Sequence, residues 1–233
     1  MAKIKYSALV SDMRNKLNGS VMSKNRYGSY VRNKVTPTNP QTSFQQAARQ
    51  QLSSLSAQWG GLTVAQREGW NAVASQTPFT DIFGDQKFLT GQTMYVKLNA
   101  NLLKIEESVI SAAPLMGSIP SMAVTAVDAE QTAGALVTLD LDFSLQTVPA
   151  GFKIAIYATP AVKPGISFVK NQFRYIGSTD TITTGTFDAE PLWNARFGTV
   201  NVGDQIFVRC ALVSETTGQA GIPSQGQTVI TTA

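Results

Sequence analysis

Near residue 110 the apolar residues of this chain stop recurring at helical spacing and begin to alternate, so neither a helix bundle nor a sheet alone can accommodate it. Upstream, Phe44, Ala48, Leu52, Leu55 and Trp59 recur along one helical face. Asn39 and Pro40 have the form of a cap and first helical position, which predicts a helix from about Pro40 to Trp59, stopped by Gly60-Gly61. Thr63 and Gln66 form a capping-box pattern that opens a second helix, VAQREGWNAVASQ. The short connection predicts an antiparallel helical hairpin with Trp59 and Trp70 at its seam. A third helix follows Thr90, with Leu89 and Met94 as a hydrophobic staple and Tyr95, Leu98 and Leu102 as the buried stripe.

Downstream, ALVTLDLDF sets Val137, Leu139, Leu141 and Phe143 on one face and Thr138, Asp140 and Asp142 on the other. FKIAIYATP and DQIFVRCALV repeat the pattern, the latter turning Ile206, Val208, Cys210 and Leu212 inward. With SMAVTAVDA, NQFRYIGS, DTITTGTF and GIPSQGQTVITT they predict seven short strands, the pattern of an immunoglobulin-like sandwich of fibronectin type III character. AAPLMGSIP reads as the linker ahead of them. The expected fold is α+β and multidomain: a basic extended arm with a β-hairpin at 1–40, a helical domain at 41–110, and an antiparallel β-sandwich at 111–233.

The arm carries most of the surplus charge. Residues 1–50 hold nine Lys and Arg against Asp12 alone, a net +8; the whole chain is +4, which leaves −4 for the remainder. Two short strands, GSVMSKN and SYVRNKV, meet across Asn25-Arg26-Tyr27-Gly28, and TPTNP ends them with two prolines. Lys24, Arg26, Tyr27, Tyr30, Arg32 and Lys34 are the candidate interface residues. Basic side chains among tyrosines suit stacking on bases and contact with phosphates. They equally suit docking in an acidic groove of a neighbouring protein, or a solvated hairpin. No helix-turn-helix, ribonucleoprotein or zinc motif accompanies them.

Catalytic and cofactor motifs are scarce. The sequence has no histidine, which excludes a histidine-dependent triad, a histidine general base and histidine-ligated metal. The single cysteine, Cys210, forms no intrachain disulfide. Neither a phosphate loop nor a dinucleotide fingerprint is present. A Ser/Lys nucleophile or carboxylate pair remains open; Asp140 with Asp142 and Asp128 with Glu130 have the spacing for one, or for an oxygen-ligand metal site, but alternation also puts them on a sandwich's solvent face. Trp193, Phe197, Tyr157 and Tyr175 read first as core aromatics and second as a carbohydrate platform. No enzyme, metal or cofactor is expected. There is no run of about 20 apolar residues to span a bilayer and no signal-like start, so synthesis and retention in a cytoplasm are expected.

The run from GSVMSKNRYGSYVRNKV through NPQTSFQQAARQQ to LTVAQREGWN resembles the amino-terminal half of a group of proteins of tailed bacteriophages and prophages. The matching positions are Gly28, Arg32, Asn39, Pro40, Thr42, Gln46, Arg49, Trp59, Leu62, Thr63, Gln66, Arg67 and Trp70. FKIAIYATPAVKPG, FRYIGS and RFGTVNVGDQIFVRCALVSETTGQ are similar to the sandwich attached to such proteins. The resemblance implies a non-enzymatic virion structural protein: capsid decoration, neck or connector, or tail. Its partners would be other virion subunits, in several symmetric copies or as a homo-oligomer, with synthesis in the host cytoplasm and no membrane. DNA binding or packaging, and carbohydrate adhesion, are the alternatives.

Overall fold

The computed structural model describes residues 2–36, 38–81 and 83–233. Among these residues the chain combines four antiparallel or largely antiparallel sheets with four helices, a mixed α+β architecture. Pro37, one of the two TPTNP prolines, lies outside the described residues.

The first strands are β1 (Ala2–Lys3), β2 (Asn15–Leu17), β3 (Ser20–Asn25) and β4 (Gly28–Asn33), joined in the order β1-β4-β3-β2. The expected hairpin is thus the centre of a four-stranded sheet. Asn25 and Gly28 pair at its tip, and Gly28 adopts φ +112°, a region open to glycine. Among the described residues, none before Leu55 is buried.

Helix α1 spans Ser43–Gly61. Its cap is Thr42, whose hydroxyl accepts from Gln45 N–H, and not Asn39; Pro40 lies outside the helix. The reason is local: Gln41 sits at φ +49°, a left-handed turn that a right-handed helix cannot run through. At its other end α1 stops at the expected Gly60-Gly61 pair, where the Arg67 guanidinium donates to the Gly60 carbonyl at 2.6 Å and satisfies the last turn. Helix α2 (Val64–Gln76) begins with the expected capping box: Thr63 Oγ1 accepts from Gln66 N–H, and Gln66 Oε1 from Thr63 N–H. Such a cap contributes about 1 kcal/mol.

The hairpin β5 (Pro78–Thr80) with β6 (Gln86–Phe88) leads to α3 (Gly91–Lys104), capped by Thr90. The expected stripe of Tyr95, Leu98 and Leu102 is fully buried, and Met94 joins it. The seam differs from expectation. α1 and α2 pack on α3 more than on each other. Tyr95 lies between the two tryptophans, 5.6 Å from Trp59 and 5.3 Å edge-on to Trp70. Ahead of the expected linker, buried Asn99 donates to the Tyr95 and Ile110 carbonyls and accepts from Ile110 N–H, which pins the chain on the helical core; within the linker, Ala113 and Met116 pack on that core while Leu115 is exposed.

The remainder forms two sheets. One has the order β10 (Arg174–Thr179), β9 (Phe152–Ala158), β12 (Gln205–Ser214), β13 (Ser224–Val229). The other runs β11 (Thr186–Asp188), β8 (Ala135–Phe143), β7 (Val124–Thr132), β14 (Thr231–Thr232), the last pair parallel. Their inner faces share one core, with Leu139, Leu141, Ile154, Ile156, Ile206, Val208, Cys210 and Leu212 buried. One expected inward residue is displaced. Glu130 pairs with Thr138 and Gln131 with Leu136, so Val137 is an unpaired bulge, turned out to 41% exposure while Leu136 takes the core position.

Helix α3 covers the outer face of β9 and β12, where Leu102 and Ile105 pack on Ala155 and Val213. Polar contacts fix this seat: Asn101 Nδ2 donates to the Gly218 carbonyl at 2.9 Å, and Lys153 Nζ to the Ile105 carbonyl and, at 2.7 Å, to Glu107. Tyr175 hydroxyl donates to the Lys104 carbonyl. A short helix, α4 (Glu190–Asn194), holds Trp193 in the sandwich core through a 3.0 Å bond from its indole to the Thr159 carbonyl.

Candidate assembly surface

The N-terminal sheet is built from residues that cannot bury it. Antiparallel partners share a face, so Lys16, Val21 and Arg32 form one row across β2, β3 and β4, with Lys3, Tyr30 and Ser23 in a nearby row on that face. The opposite face carries Leu17, Met22, Val31 and Lys24. A shallow concavity at the end of β4 is lined by Ala2, Ser20, Val31, Arg32, Asn33 and Val35. Neither face has a fully buried side chain, so this sheet has no core of its own.

The six candidate interface residues are not one cluster. Lys24 and Arg26 are exposed near the hairpin tip; Arg32 and Lys34 are exposed at the other end, with Lys34 N–H donating to the Gly19 carbonyl. Lys24 also faces away from Arg32 and Tyr30, because β3 and β4 place them on opposite sides. Tyr30 is half-buried opposite Ser23, and Tyr27 meets Phe79 edge-on at 6.1 Å. Of the helical residues singled out, Trp70 is buried and its indole donates to the Ser111 carbonyl, while Trp59 is partly buried. Asn39, displaced from the cap, accepts a 2.8 Å bond from Arg49.

What anchors the sheet is an internal contact that sequence reasoning missed. Lys3 Nζ donates to Asp81 at 2.9 Å and Lys5 Nζ lies 3.1 Å from Asp85. Asp81 is pre-positioned by backbone donors at Phe83 and Asp85, with Gly84 at φ +83° completing the turn. The Lys3 hydrogen bond, aided by those amides, draws the Asp81 carboxyl down to about 2 against partial desolvation. The DIFGDQ loop carried the complementary charges, but only the β5–β6 pairing brings them together. Among the described residues, Lys16, Lys24, Arg26, Arg32 and Lys34 enter no ion pair.

Helix α1 extends the uncovered surface. Leu55 is its only fully buried residue, whereas Phe44 and Leu52 on the same stripe are more than half exposed. Arg196 of the sandwich lies 3.8 Å over the Phe44 ring and holds the helix start.

The other candidates resolve differently. Trp193 is buried and packed against Phe197 at 5.1 Å, which takes it out of any surface platform. Tyr157 and Tyr175 pair edge-on at 5.5 Å beneath the end of α3, seating it on the sandwich. Asp128, Glu130, Asp140 and Asp142 lie on the solvent-facing side of the β7–β8 pair. Partial burial, then Asp188 and its other acidic neighbours, push the Asp140 carboxyl up. No group of three or more metal-ligating side chains occurs among the described residues.

No family model and no curated protein matches the chain. Among solved structures it is similar, at 16% identity and a TM-score of 0.26, to catalytically inactive OgpA from Akkermansia muciniphila, crystallised with an O-glycopeptide (glycodrosocin) substrate. The match covers 63% of this chain and 37% of that one, so the chain spans little more than a third of that structure's length. A likeness at that level carries neither fold nor activity across.

Proposed function

We propose that this chain is a non-enzymatic structural component of a tailed-bacteriophage particle, attached to neighbouring subunits by its N-terminal region and carrying a fibronectin type III-like domain. The observation that carries the reading is the uncovered first quarter of the chain: a basic sheet and the first turns of α1, with no buried residue before Leu55 among the described residues. Such a surface gains buried area and order on meeting a partner. The strand orders β11-β8-β7-β14 and β10-β9-β12-β13 support the fibronectin-like assignment: setting aside the two-residue β14, the first, second and fifth of seven strands lie in one sheet and the rest in the other. The resemblance of the arm and the LTVAQREGWN helix to phage proteins supports the setting. Mass spectrometry and imaging of purified particles test it: the protein is expected in mature virions at a defined location, and its absence would refute the reading.

A second reading is favoured by one observation, the exposed Lys16, Lys24, Arg26, Arg32 and Lys34 without acidic partners among the described residues. In that case the sheet holds nucleic acid. Duplex binding would then fall steeply with salt. Negligible binding at low salt eliminates this reading.

A further inference from the structure

The proposed docking surface is the N-terminal sheet, and the molecule itself presents a face that complements it. Pairing of β7 with β8 and of β8 with β11 sets Asp128, Asp140 and Asp188 in one row across three strands. Like charges directly opposed across strands destabilise a sheet, and among the described residues no cation pairs with these three. The basic row has the same construction: Lys16 on β2 and Arg32 on β4 flank Val21 on β3. Neighbouring strands lie about 4.8 Å apart, so each row places its outer charges about 10 Å apart. Both are solvent-facing rows whose charges enter no ion pair among the described residues.

We propose that the N-terminal sheet of one copy docks on the outer face of the β7/β8/β11 sheet of a second copy, Lys16 and Arg32 meeting the Asp128–Asp140–Asp188 row. This rests on the reading of the N-terminal region as an assembly surface and names its partner. The two faces differ, so the contact is head-to-tail: each copy retains one free basic face and one free acidic face, and the assembly grows into a ring or a filament. Val21, which lies between the two cations on the same face and is only partly buried, supplies apolar area beside the charges.

The test uses the full chain in sedimentation velocity at low ionic strength. Wild type is expected to self-associate, and raising salt from about 0.05 M to about 0.5 M weakens this by roughly tenfold or more. Two variants separate the faces: Lys16→Glu/Arg32→Glu on the arm, and Asp128→Asn/Asp140→Asn/Asp188→Asn on the sandwich. Both sets are at the surface, and circular dichroism with thermal melting verifies their fold. Each variant alone is expected to remain monomeric where wild type associates. Mixed one to one, they retain one intact basic face and one intact acidic face, and a 1:1 dimer that grows no further is expected. A monomeric wild type at low salt, variants that associate like wild type, or a mixture that stays monomeric overturns the proposal. If the protein is nonetheless present in virions, the structural reading survives with a different partner. If copies associate head-to-tail but the protein is absent from virions, the structural reading fails and this interface stands.

Discussion

Gly218 tests how closely the helical segment is seated on the sandwich. It occupies a turn at φ +68°, and its carbonyl accepts from Asn101 of α3. A Cβ added there would press into the Leu98 carbonyl, 2.9 Å from its carbon, and lie 3.0 Å from Leu102 Cγ. Gly218→Ala therefore combines two costs. The left-handed conformation is worth about 1–2 kcal/mol for a residue with a Cβ. Pushing back a helix backbone in a packed interface adds about 1–3 kcal/mol. Gly203 isolates the first cost, since it has φ +86° with nothing within 4 Å of the added Cβ. Two-state stability changes translate to about 2–4 °C per kcal/mol at this chain length. Gly203→Ala should lower the melting midpoint by roughly 2–8 °C, and Gly218→Ala by roughly 4–20 °C with faster amide exchange at 214–219. Equal losses for the two variants in calorimetry would refute the close approach of turn and helix.

Three other outcomes follow from the packing and electrostatics. Tyr95→Ala removes the ring between Trp59 and Trp70 and should cost about 3–5 kcal/mol in denaturant unfolding, whereas Tyr95→Phe, which loses only a 3.3 Å bond to Gln58, should cost about 1 kcal/mol or less. Asp81 is drawn down to about 2, so its folded pKa lies below its unfolded value of about 3.9; the stabilisation is complete above about pH 4 and is lost as pH falls through about 2. Amide exchange of β1 in Asp81→Asn should show at neutral pH the loosening that wild type shows only in acid. Burial pushes the Cys210 thiol up to about 12, so it should resist alkylation in the folded protein at pH 8 and react on denaturation.

Features read correctly from sequence were those with local causes. Thr63 with Gln66 and Thr90 with Thr93 are capped by groups three residues away, and strict alternation gave β8 and β12 their inward faces. The errors arose where distant residues intervene. The bulge at Val137 depends on register with β7, and the expected linker packs Ala113 and Met116 on the helical core. Phe44 and Leu52 have helical periodicity, yet both stay more than half exposed, Phe44 with only Arg196 laid over its ring, since periodicity shows a face and not its occupant. For the surface, the basic strip was legible as charge, but its organisation was not. Lys3 and Asp81 are 78 residues apart, and the separation of Lys24 from Arg32 follows from strand pairing.

The central claim is that the N-terminal sheet is an interface completed by a neighbour. Hydrogen exchange over residues 15–35 in the dilute free chain, and again in the assembled state, tests it most directly. Exchange in the free chain is expected to be orders of magnitude faster than in β8 and β12, because the sheet has no buried side chain, and to slow strongly on assembly. Protection in the free chain equal to that of the sandwich core, unchanged on assembly, would contradict the account.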